Sequence, residues 1–373
     1  MKKIIFITIL LSFVFISGSG QNSRSCKFYV GTFTSEGAKG IYLCLFNNKT
    51  GEITLNATFE GMSNPSFLKI SPDRNTLYVV TRMPSQQNKS DGFVEAWHIK
   101  NDGRLKFINK RDSHGSGPCH VDVSHDGNFV AIATYGGGTT SLYPLTAEGV
   151  IMPATSTIIN SGSGPDKSRQ SAPHAHSIRF GPSGNKVYSA DLGTDQLNIF
   201  NMENNKLVPA KQKHVKLSPG AGPRHFDFHP GKKVIYIINE LNSTITALKN
   251  RKGTWKKFQT VSTLPPGYTE TSYCADIHVS SNGRFLYGSN RGHNSIAIFE
   301  IDDGSQELKW KGTVSCRGDW PRNFALSPDG NFLLVANQKS HNITVFKIDE
   351  NTGMPEYTNN EINLSAPVCI EFY

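Results

Sequence analysis

The chain has 373 residues, of which 37% are hydrophobic and 10% aromatic, so it is long enough to bury a large core. Its 34 glycines indicate many turns, which is typical of β-rich proteins rather than helical ones. The formal net charge of +9 is spread along the sequence without a dense run of lysine and arginine, which argues against nucleic acid as a partner and favours small anionic molecules.

Residues 1–20 have the pattern of a secretory signal peptide. Two lysines follow the first methionine, an apolar run extends from Ile4 to Ile16, and small residues occupy positions 18–20. A membrane-spanning helix needs about 20 apolar residues, and this run is shorter. We therefore predict cleavage and export to the periplasm or the exterior, which leaves a mature chain from residue 21 onward without a membrane attachment.

One unit of eighteen residues recurs along the rest of the chain. Each copy contains a short strand, a turn related to Ser-Pro-Asp-Gly and an apolar strand. A third strand and a weaker fourth follow, as in NSIAIFEID after the fifth copy. Four strands in a unit of about 50 residues predict the blade of a β-propeller. The copies begin at Pro65, Pro118, Ala175, Pro223, Cys274 and Pro321.

The two ends of the chain supply the parts of one further blade. The N-terminal segments KFYVGTF and GIYLCLF resemble a unit that lacks its first strand, and the C-terminal PVCIEFY resembles a lone first strand. Pairing them would remove two exposed sheet edges. We predict an all-β fold in which residues 21–373 form a single seven-bladed β-propeller with four-stranded blades, closed by the N- and C-terminal strands. The six cysteines are scattered without a CxxC pair and give no sign of a zinc site.

Polar side chains recur where the first strand of each unit begins and the second ends. These two positions are neighbours in an antiparallel pair, so they open on the same face of the disc, around the central channel. Long charges at a channel mouth are not needed as structural caps, which favours functional roles for Arg224, Glu240 and Arg291. Arg322 and His225 are further candidates for substrate contact, although strand alternation directs His225 to the opposite side, with packing between blades as its alternative.

Asp191 and Asn290 lie at the corresponding ends of second strands. They are candidates for substrate contact, with capping of loop backbone groups as the alternative. In the fourth blade a long loop, GSGPDKSRQSAPHAH, brings Arg169, His174 and His176 to the same rim. Two alternating histidines can form half of a metal site, but no further ligands match and the nearby arginines would repel a cation. We therefore predict no metal and no other cofactor.

Four motifs carry a family resemblance: PHAHSIRFGPSGNKVYSADLG, GPRHFDFHPGKKVIYIINEL, ADIHVSSNGRFLYGSNRGHNSIAIF and WPRNFALSPDGNFLLVANQ. They resemble the seven-bladed propeller lactonases, which include 6-phosphogluconolactonases and carboxy-muconate lactonizing enzymes. The resemblance implies a carboxylic-ester hydrolase acting on a sugar-derived lactone, phosphorylated lactones included. Transferred by motif, the implied catalytic residues are His176 (or His174), Arg224, Glu240 and Arg291.

Hydrolysis of a lactone needs an activated water and stabilisation of developing negative charge. His176 suits proton transfer near neutrality, Glu240 would orient its neighbours, and the arginines would bind the anion, with Arg169 closing over it. No Gly-x-Ser-x-Gly elbow supports a covalent route. Two alternatives remain: a muconate-type cycloisomerase that closes lactones, and a non-catalytic propeller that binds an anionic ligand. The export signal leaves the physiological lactone open, because family members acting on 6-phosphogluconolactone serve a cytoplasmic pathway.

Overall fold

The computed structural model describes residues 25–83 and 91–373, so the signal peptide predicted at residues 1–20 lies outside the described residues. Within these ranges the regular structure is β-strand, apart from one 3-10 helix at Thr34–Glu36. No helix in the described part of the chain has the length and apolar character needed to cross a bilayer. The predicted all-β class is confirmed.

The strands form seven antiparallel four-stranded sheets arranged as blades around a central channel. Blade 1 combines both ends of the chain, and its strands are β28 (Pro367–Phe372), β1 (Ser25–Thr32), β2 (Gly40–Asn47) and β3 (Ile53–Glu60). Blades 2 and 3 follow, with strands β4 (Phe67–Ile70), β5 (Thr76–Arg82), β6 (Gly92–Ile99), β7 (Leu105–Asp112), β8 (Pro118–Val123), β9 (Phe129–Thr134), β10 (Thr139–Pro144) and β11 (Ser156–Ile159).

Blades 4 to 7 repeat the same order from the channel outward. In blades 4 and 5 the strands are β12 (Ala175–Phe180), β13 (Lys186–Asp191), β14 (Gln196–Glu203), β15 (Lys206–Lys216), β16 (Pro223–Phe228), β17 (Val234–Asn239), β18 (Thr244–Arg251) and β19 (Thr254–Ser262). In blades 6 and 7 they are β20 (Tyr273–Val279), β21 (Phe285–Arg291), β22 (Ser295–Ile301), β23 (Leu308–Ser315), β24 (Pro321–Leu326), β25 (Phe332–Asn337), β26 (Asn342–Ile348) and β27 (Pro355–Asn363).

The ring is closed as the sequence predicts. Strand β28 is the innermost strand of blade 1 and pairs antiparallel with β1, with Phe28 opposite Phe372 and Val30 opposite Ile370. A side chain of blade 7 adds a second connection, because Asn323 Oδ1 accepts a hydrogen bond of 2.7 Å from the backbone N–H of Ile370. The closure therefore joins both ends of the chain to each other and to the neighbouring blade without a disulfide.

The hydrophobic core lies between the blades rather than inside any one of them. Each of seven buried clusters combines residues from two adjacent blades. Between blades 7 and 1, for example, the rings of Phe332 and Phe46 meet edge to face with centroids 5.4 Å apart. Burying one such side chain contributes roughly 1.5–3 kcal/mol. Because every blade depends on two neighbours, the channel wall is a continuous and rigid support for the strand ends.

The repeated Ser-x-Asp-Gly turns connect the first and second strands of a blade. They lie on the face of the disc opposite the funnel, which is the mouth of the channel where the first strands begin and the second strands end. In blade 7, Ser327 Oγ donates to Asp329 Oδ1 at 2.6 Å and accepts from the N–H of Phe332 at 2.9 Å. Gly330 has a φ of +75°, in the left-handed region that favours glycine. This turn chemistry explains why the motif recurs, and it fixes the register that brings the other strand ends together.

Candidate active site

A bulge near the start of the inner strand determines which side chains enter the funnel. In blades 3, 4, 5 and 7 the register shifts by one residue directly after the first residue of the strand. One residue between the two paired positions is left unpaired, and the bulge changes the direction in which its side chain points. In each of these blades that residue lines the funnel, and the four are Cys119, His176, Arg224 and Arg322.

The funnel contains a cavity of about 310 Å³, large enough for a small molecule. Seven of the ten predicted site residues line it: His176, Arg224, Glu240, Arg291, Arg169, His225 and Arg322. His174, Asp191 and Asn290 are not among the lining residues. The remaining wall consists of Phe33, Ser66, Phe67, Arg82, Gly117, Pro118, Cys119, Tyr135 and Val368.

Glu240 is the common partner of three arginines. Its Oε1 accepts a hydrogen bond of 2.5 Å from Arg169 Nη2. Its Oε2 lies 2.7 Å from Arg291 Nη2 and 3.1 Å from Arg224 Nε. The Arg224 contact is not aligned as a hydrogen bond, so it acts through charge alone. The carboxylate thereby fixes the positions of guanidinium groups that come from three different blades or loops.

The electrostatics of this cluster keep Glu240 and Arg224 charged at neutral pH. Burial by itself would raise the pKa of Glu240, but Arg291, Arg224 and Arg169 outweigh it and lower the pKa to about 2. Burial lowers the pKa of Arg224 to about 9, with repulsion from Arg291 and Arg322 in the same direction. Because cations outnumber the single carboxylate, the cavity favours an anionic ligand.

His176 lies beside this cluster, and neither of its ring nitrogens forms a hydrogen bond with the residues that the structure describes. Its Nε2 is 4.0 Å from Glu240 Oε2, beyond hydrogen-bond distance, and its buried Nδ1 has no partner among the described residues. The side chain is only 6% exposed. Burial lowers the pKa of His176 well below its ordinary value, and Arg224 and His225 act in the same direction. A neutral, unpartnered imidazole in a cationic cavity is available to bind and deprotonate a water molecule.

His174 occupies a different position, although the sequence offered it as an alternative to His176. Its ring stacks on Tyr135 with centroids 4.3 Å apart, and its Nδ1 lies 2.8 Å from the Tyr135 carbonyl oxygen. Tyr135 in turn receives a hydrogen bond of 3.4 Å from Arg169 Nη2 at its hydroxyl. His174 therefore supports an aromatic residue of the cavity wall and does not itself line the cavity.

The structure does not place Asp191 and Asn290 in the cavity wall, where the sequence proposed substrate contacts. Asp191 Oδ1 accepts from the backbone N–H of His174 at 2.8 Å, and its Oδ2 accepts from Asn160 Nδ2 at 2.6 Å. Asn290 exchanges hydrogen bonds with Thr263, donating to the carbonyl at 2.9 Å and accepting from Oγ1 at 2.7 Å. Both side chains satisfy loop groups inside the ring, the capping alternative.

Strand alternation alone predicts the wrong direction for the side chain of His225. The bulge turns both Arg224 and His225 toward the channel, so His225 lines the cavity instead of packing between blades. Its Nε2 is 3.2 Å from Arg224 Nη1 and its Nδ1 is 2.7 Å from Asp276 Oδ1. His120 follows the same pattern, because its ring stacks on Phe67 in the channel with centroids 4.0 Å apart.

Sequence reasoning assigned no role to several wall residues. Tyr135 is at a register position that the repeat does identify, at the end of the blade 3 unit, and its aromatic face could have been used as a signal. Phe33 and Val368 come from the two chain ends that build blade 1, where no intact repeat marks the position. In the described ranges no group of three or more His, Cys, Asp and Glu side chains is arranged to hold a metal ion.

Comparison with known proteins agrees with this architecture. Residues 27–372 match the family model described as "Lactonase, 7-bladed beta-propeller". The chain is 34% identical to a 6-phosphogluconolactonase of Bacillus subtilis over 347 residues, covering 92% of this chain and 97% of that protein. It is 35% identical to a 6-phosphogluconolactonase of Formosa agariphila over 310 residues, covering 80% and 86% of the two chains.

A solved structure extends the likeness to the fold. The structure of a periplasmic gluconolactonase from Pseudomonas aeruginosa superposes with a TM-score of 0.87 at 28% identity, covering 93% of this chain and 99% of the other. The predicted family and the lactonase class are in agreement with these matches. The chain belongs to the seven-bladed β-propeller lactonase family.

Proposed function

We propose that this protein hydrolyses a sugar-derived lactone that carries an anionic group, with His176 as the general base and Arg224 and Arg291 as the anion-stabilising groups. The observation that carries the proposal is the juxtaposition of two groups at one cavity: a neutral imidazole without hydrogen bonds in the described ranges, and a carboxylate that holds three guanidinium groups. The names of the relatives, 6-phosphogluconolactonase and gluconolactonase, support a sugar lactone as the substrate class.

The reaction follows from the residues in order. His176 accepts a proton as a water molecule attacks the carbonyl carbon of the lactone, and the carbonyl oxygen becomes an oxyanion. Arg224 and Arg291 stabilise that charge, a contribution of about 3 kcal/mol for one well-placed donor. The ring C–O bond then breaks, and the protonated His176 returns its proton to the leaving alkoxide. The product is the open-chain hydroxy acid.

Binding of the substrate would raise the low pKa that makes His176 a weak base in the free cavity. In the free cavity, burial and the nearby arginines keep its pKa well below the ordinary value. An anionic ligand beside the ring favours the protonated form and raises that pKa toward neutrality, where a general base is most effective. Glu240, with its pKa lowered to about 2, remains ionised and orients the arginines rather than transferring a proton.

Arg322 offers a second anion-binding position in the same cavity wall. Arg322 packs over the ring of Phe33 at 5.2 Å and forms no ion pair within the described part of the chain. Burial lowers the pKa of Arg322 to about 10, with Arg291 as the next cause, so the group stays charged at neutral pH without an ion pair to any described carboxylate. A phosphate or carboxylate on the substrate would supply that partner.

A panel of lactones tests this proposal. We expect the purified mature protein to hydrolyse sugar lactones, with higher kcat/KM for phosphorylated than for uncharged members. The same preparation should be assayed for cyclisation of carboxy-muconate. Cyclisation without hydrolysis of any lactone would favour the cycloisomerase, and a bound anionic sugar without turnover would favour a binding protein.

We also propose that residues 1–20 act as a cleaved signal peptide. The support is the sequence pattern and the periplasmic location in the name of the Pseudomonas aeruginosa relative. Expression of the full chain in a Gram-negative host, followed by fractionation and N-terminal sequencing, should find a processed protein outside the cytoplasm. A version beginning at residue 21 should stay in the cytoplasm, and an unprocessed full chain there would contradict the proposal.

A further inference from the structure

Asp276 lies on the far side of His225 from the substrate cavity. It is on β20, is 3% exposed and does not line the funnel cavity. Together with His225, Asn323 and His278 it lines a smaller cavity of about 90 Å³, formed by residues further along the inner strands. A buried carboxylate in this position is outside the reach of a substrate but in contact with a residue of the cavity wall.

Both carboxylate oxygens of Asp276 accept hydrogen bonds. Oδ1 lies 2.7 Å from His225 Nδ1 and accepts from the N–H of Ile277 at 3.0 Å. Oδ2 contacts Asn323 Nδ2, and lies 3.1 Å from His278 Nε2 and 3.3 Å from the N–H of Phe324. Burial would raise the pKa of Asp276, but the two histidines outweigh it and hold the pKa well below its ordinary value. An ionised carboxylate can only accept hydrogen bonds, so His225 Nδ1 must carry the proton.

The opposite nitrogen of His225 faces Arg224. Burial and Arg224 lower the pKa of His225 to about 4, so the ring is neutral at physiological pH. The rings of His120 and His176 face it with centroids 5.2 Å and 5.5 Å away, and the pKa of each lies well below its ordinary value. With Nδ1 protonated, Nε2 presents a lone pair to Arg224 Nη1 at 3.2 Å.

This arrangement determines how the guanidinium of Arg224 is oriented. One hydrogen of Nη1 goes to His225 Nε2 and the other to the carbonyl oxygen of Ala275. Its Nε faces Glu240 Oε2 at 3.1 Å. Nη2 makes no hydrogen bond within the described ranges, so it is the part of the group left to meet a ligand in the cavity.

We propose that Asp276 is a positioning residue, which fixes the tautomer of His225 and through it the orientation of the Arg224 guanidinium toward the substrate. The inference rests on the proposed role of Arg224. If Asp276 were replaced by a neutral amide that donates to Nδ1, the ring would carry its proton on Nε2. That N–H would then point at an N–H of Arg224, and the two donors would repel each other.

Imidazole nitrogen NMR tests the first step without any assay of turnover. In the wild-type protein we expect His225, assigned by its loss in the His225→Gln variant, to be neutral and protonated on Nδ1 at pH 7. In Asp276→Asn we expect a shift toward the Nε2–H form. His278→Gln, which changes the contact at the other oxygen, should leave the His225 tautomer as in wild type. A wild-type His225 protonated on Nε2 would overturn the proposal, whatever the substrate proves to be.

Kinetics test the second step. We expect Asp276→Asn to lower kcat/KM about 10- to 100-fold, the size expected when a binding group is displaced by a fraction of an ångström to one ångström. In an Arg224→Ala background the same substitution should change kcat/KM by less than about twofold, since its target is absent. His278→Gln should stay within about twofold of wild type. Losses that multiply in the double variant would show that Asp276 acts independently of Arg224 and would refute the positioning role.

Discussion

Arg291 and Glu240 occupy equivalent positions in neighbouring blades, one at the end of β21 and the other directly after β17, and their side chains meet with Nη2 2.7 Å from Oε2. Blades 5 and 6 thus contribute one charge each, at the same height of the ring. Glu240 also lies 3.1 Å from Arg224 of its own blade, but its contact with Arg291 exists only when the two blades are correctly docked. This contact therefore links the site to the docking of blades 5 and 6.

Replacement of Glu240 by glutamine should affect stability and catalysis together. The change leaves two buried arginines, Arg224 and Arg291, without their carboxylate, and breaking a buried ion pair costs up to about 3–5 kcal/mol, less where cavity water screens the charges. We expect a lower urea midpoint and a fall in kcat. Inorganic phosphate should raise the midpoint of the variant more than that of wild type, because it replaces the lost charge. Glu240→Asp, which keeps the charge, is the matched control.

The His176→Ala variant should lose activity with little loss of stability. A general base contributes about 10²- to 10⁴-fold, and the ring has no hydrogen bond to lose within the described chain. His174→Ala is the matched comparison, because the His174 ring packs against Tyr135 and does not itself line the cavity. We expect this variant to lose less than about tenfold in kcat. Steady-state kinetics and thermal melts of both variants would check this. Equal losses of kcat would contradict the assignment of the base.

Substitution of Arg322 by glutamine should change substrate preference. We expect KM for an anionic lactone to rise about tenfold, because a charge-assisted contact contributes about 1.5–3 kcal/mol in favourable cases, whereas a neutral lactone should be affected little. Arg104→Gln, at a position where the side chain is 67% exposed and paired with Asp102, controls for net charge. Equal effects on both substrates would show that Arg322 does not contact the anionic group.

The Asn290→Ala variant should be a folding variant with normal chemistry. The side-chain amide of Asn290 forms buried hydrogen bonds with Thr263 and Ser295, and leaving such partners unsatisfied costs about 1–3 kcal/mol. We expect a lower unfolding free energy in urea and an unchanged kcat/KM for the folded fraction. A fall in kcat/KM at full folding would instead indicate substrate contact, as first predicted from the sequence.

Stability should decrease as the pH falls below about 6.5. Burial lowers the pKa of His225 to about 4, so between these values the unfolded chain binds a proton that the folded chain does not. The loss is at most about 1.4 kcal/mol per pH unit for this residue. His120 and His176, whose pKa values are also lowered by burial, act in the same direction. Urea unfolding at several pH values should show a shallower dependence for His225→Gln, and an unchanged dependence would contradict this explanation.

The sequence predicted the ring and most of the site because both depend on one repeated register. The alignment of six copies places Arg224, Glu240 and Arg291 at the same rim, and the structure brings them into contact. It could not predict the direction of His225, because a bulge is a property of the pairing between strands and not of the residues alone. Nor could it separate His174 from His176, because only the bulge in the pairing of β12 with β13 brings His176 into the cavity wall.

The composition of blade 1 has a consequence for the order of folding. Val368 forms part of the cavity wall and belongs to β28, which pairs with a strand more than three hundred residues earlier in the chain. A nascent polypeptide therefore has no complete binding site until this last strand is released and docked. The appearance of turnover during refolding would then report the final closing event, and a form lacking residues 367–372 would be inactive even with six intact blades.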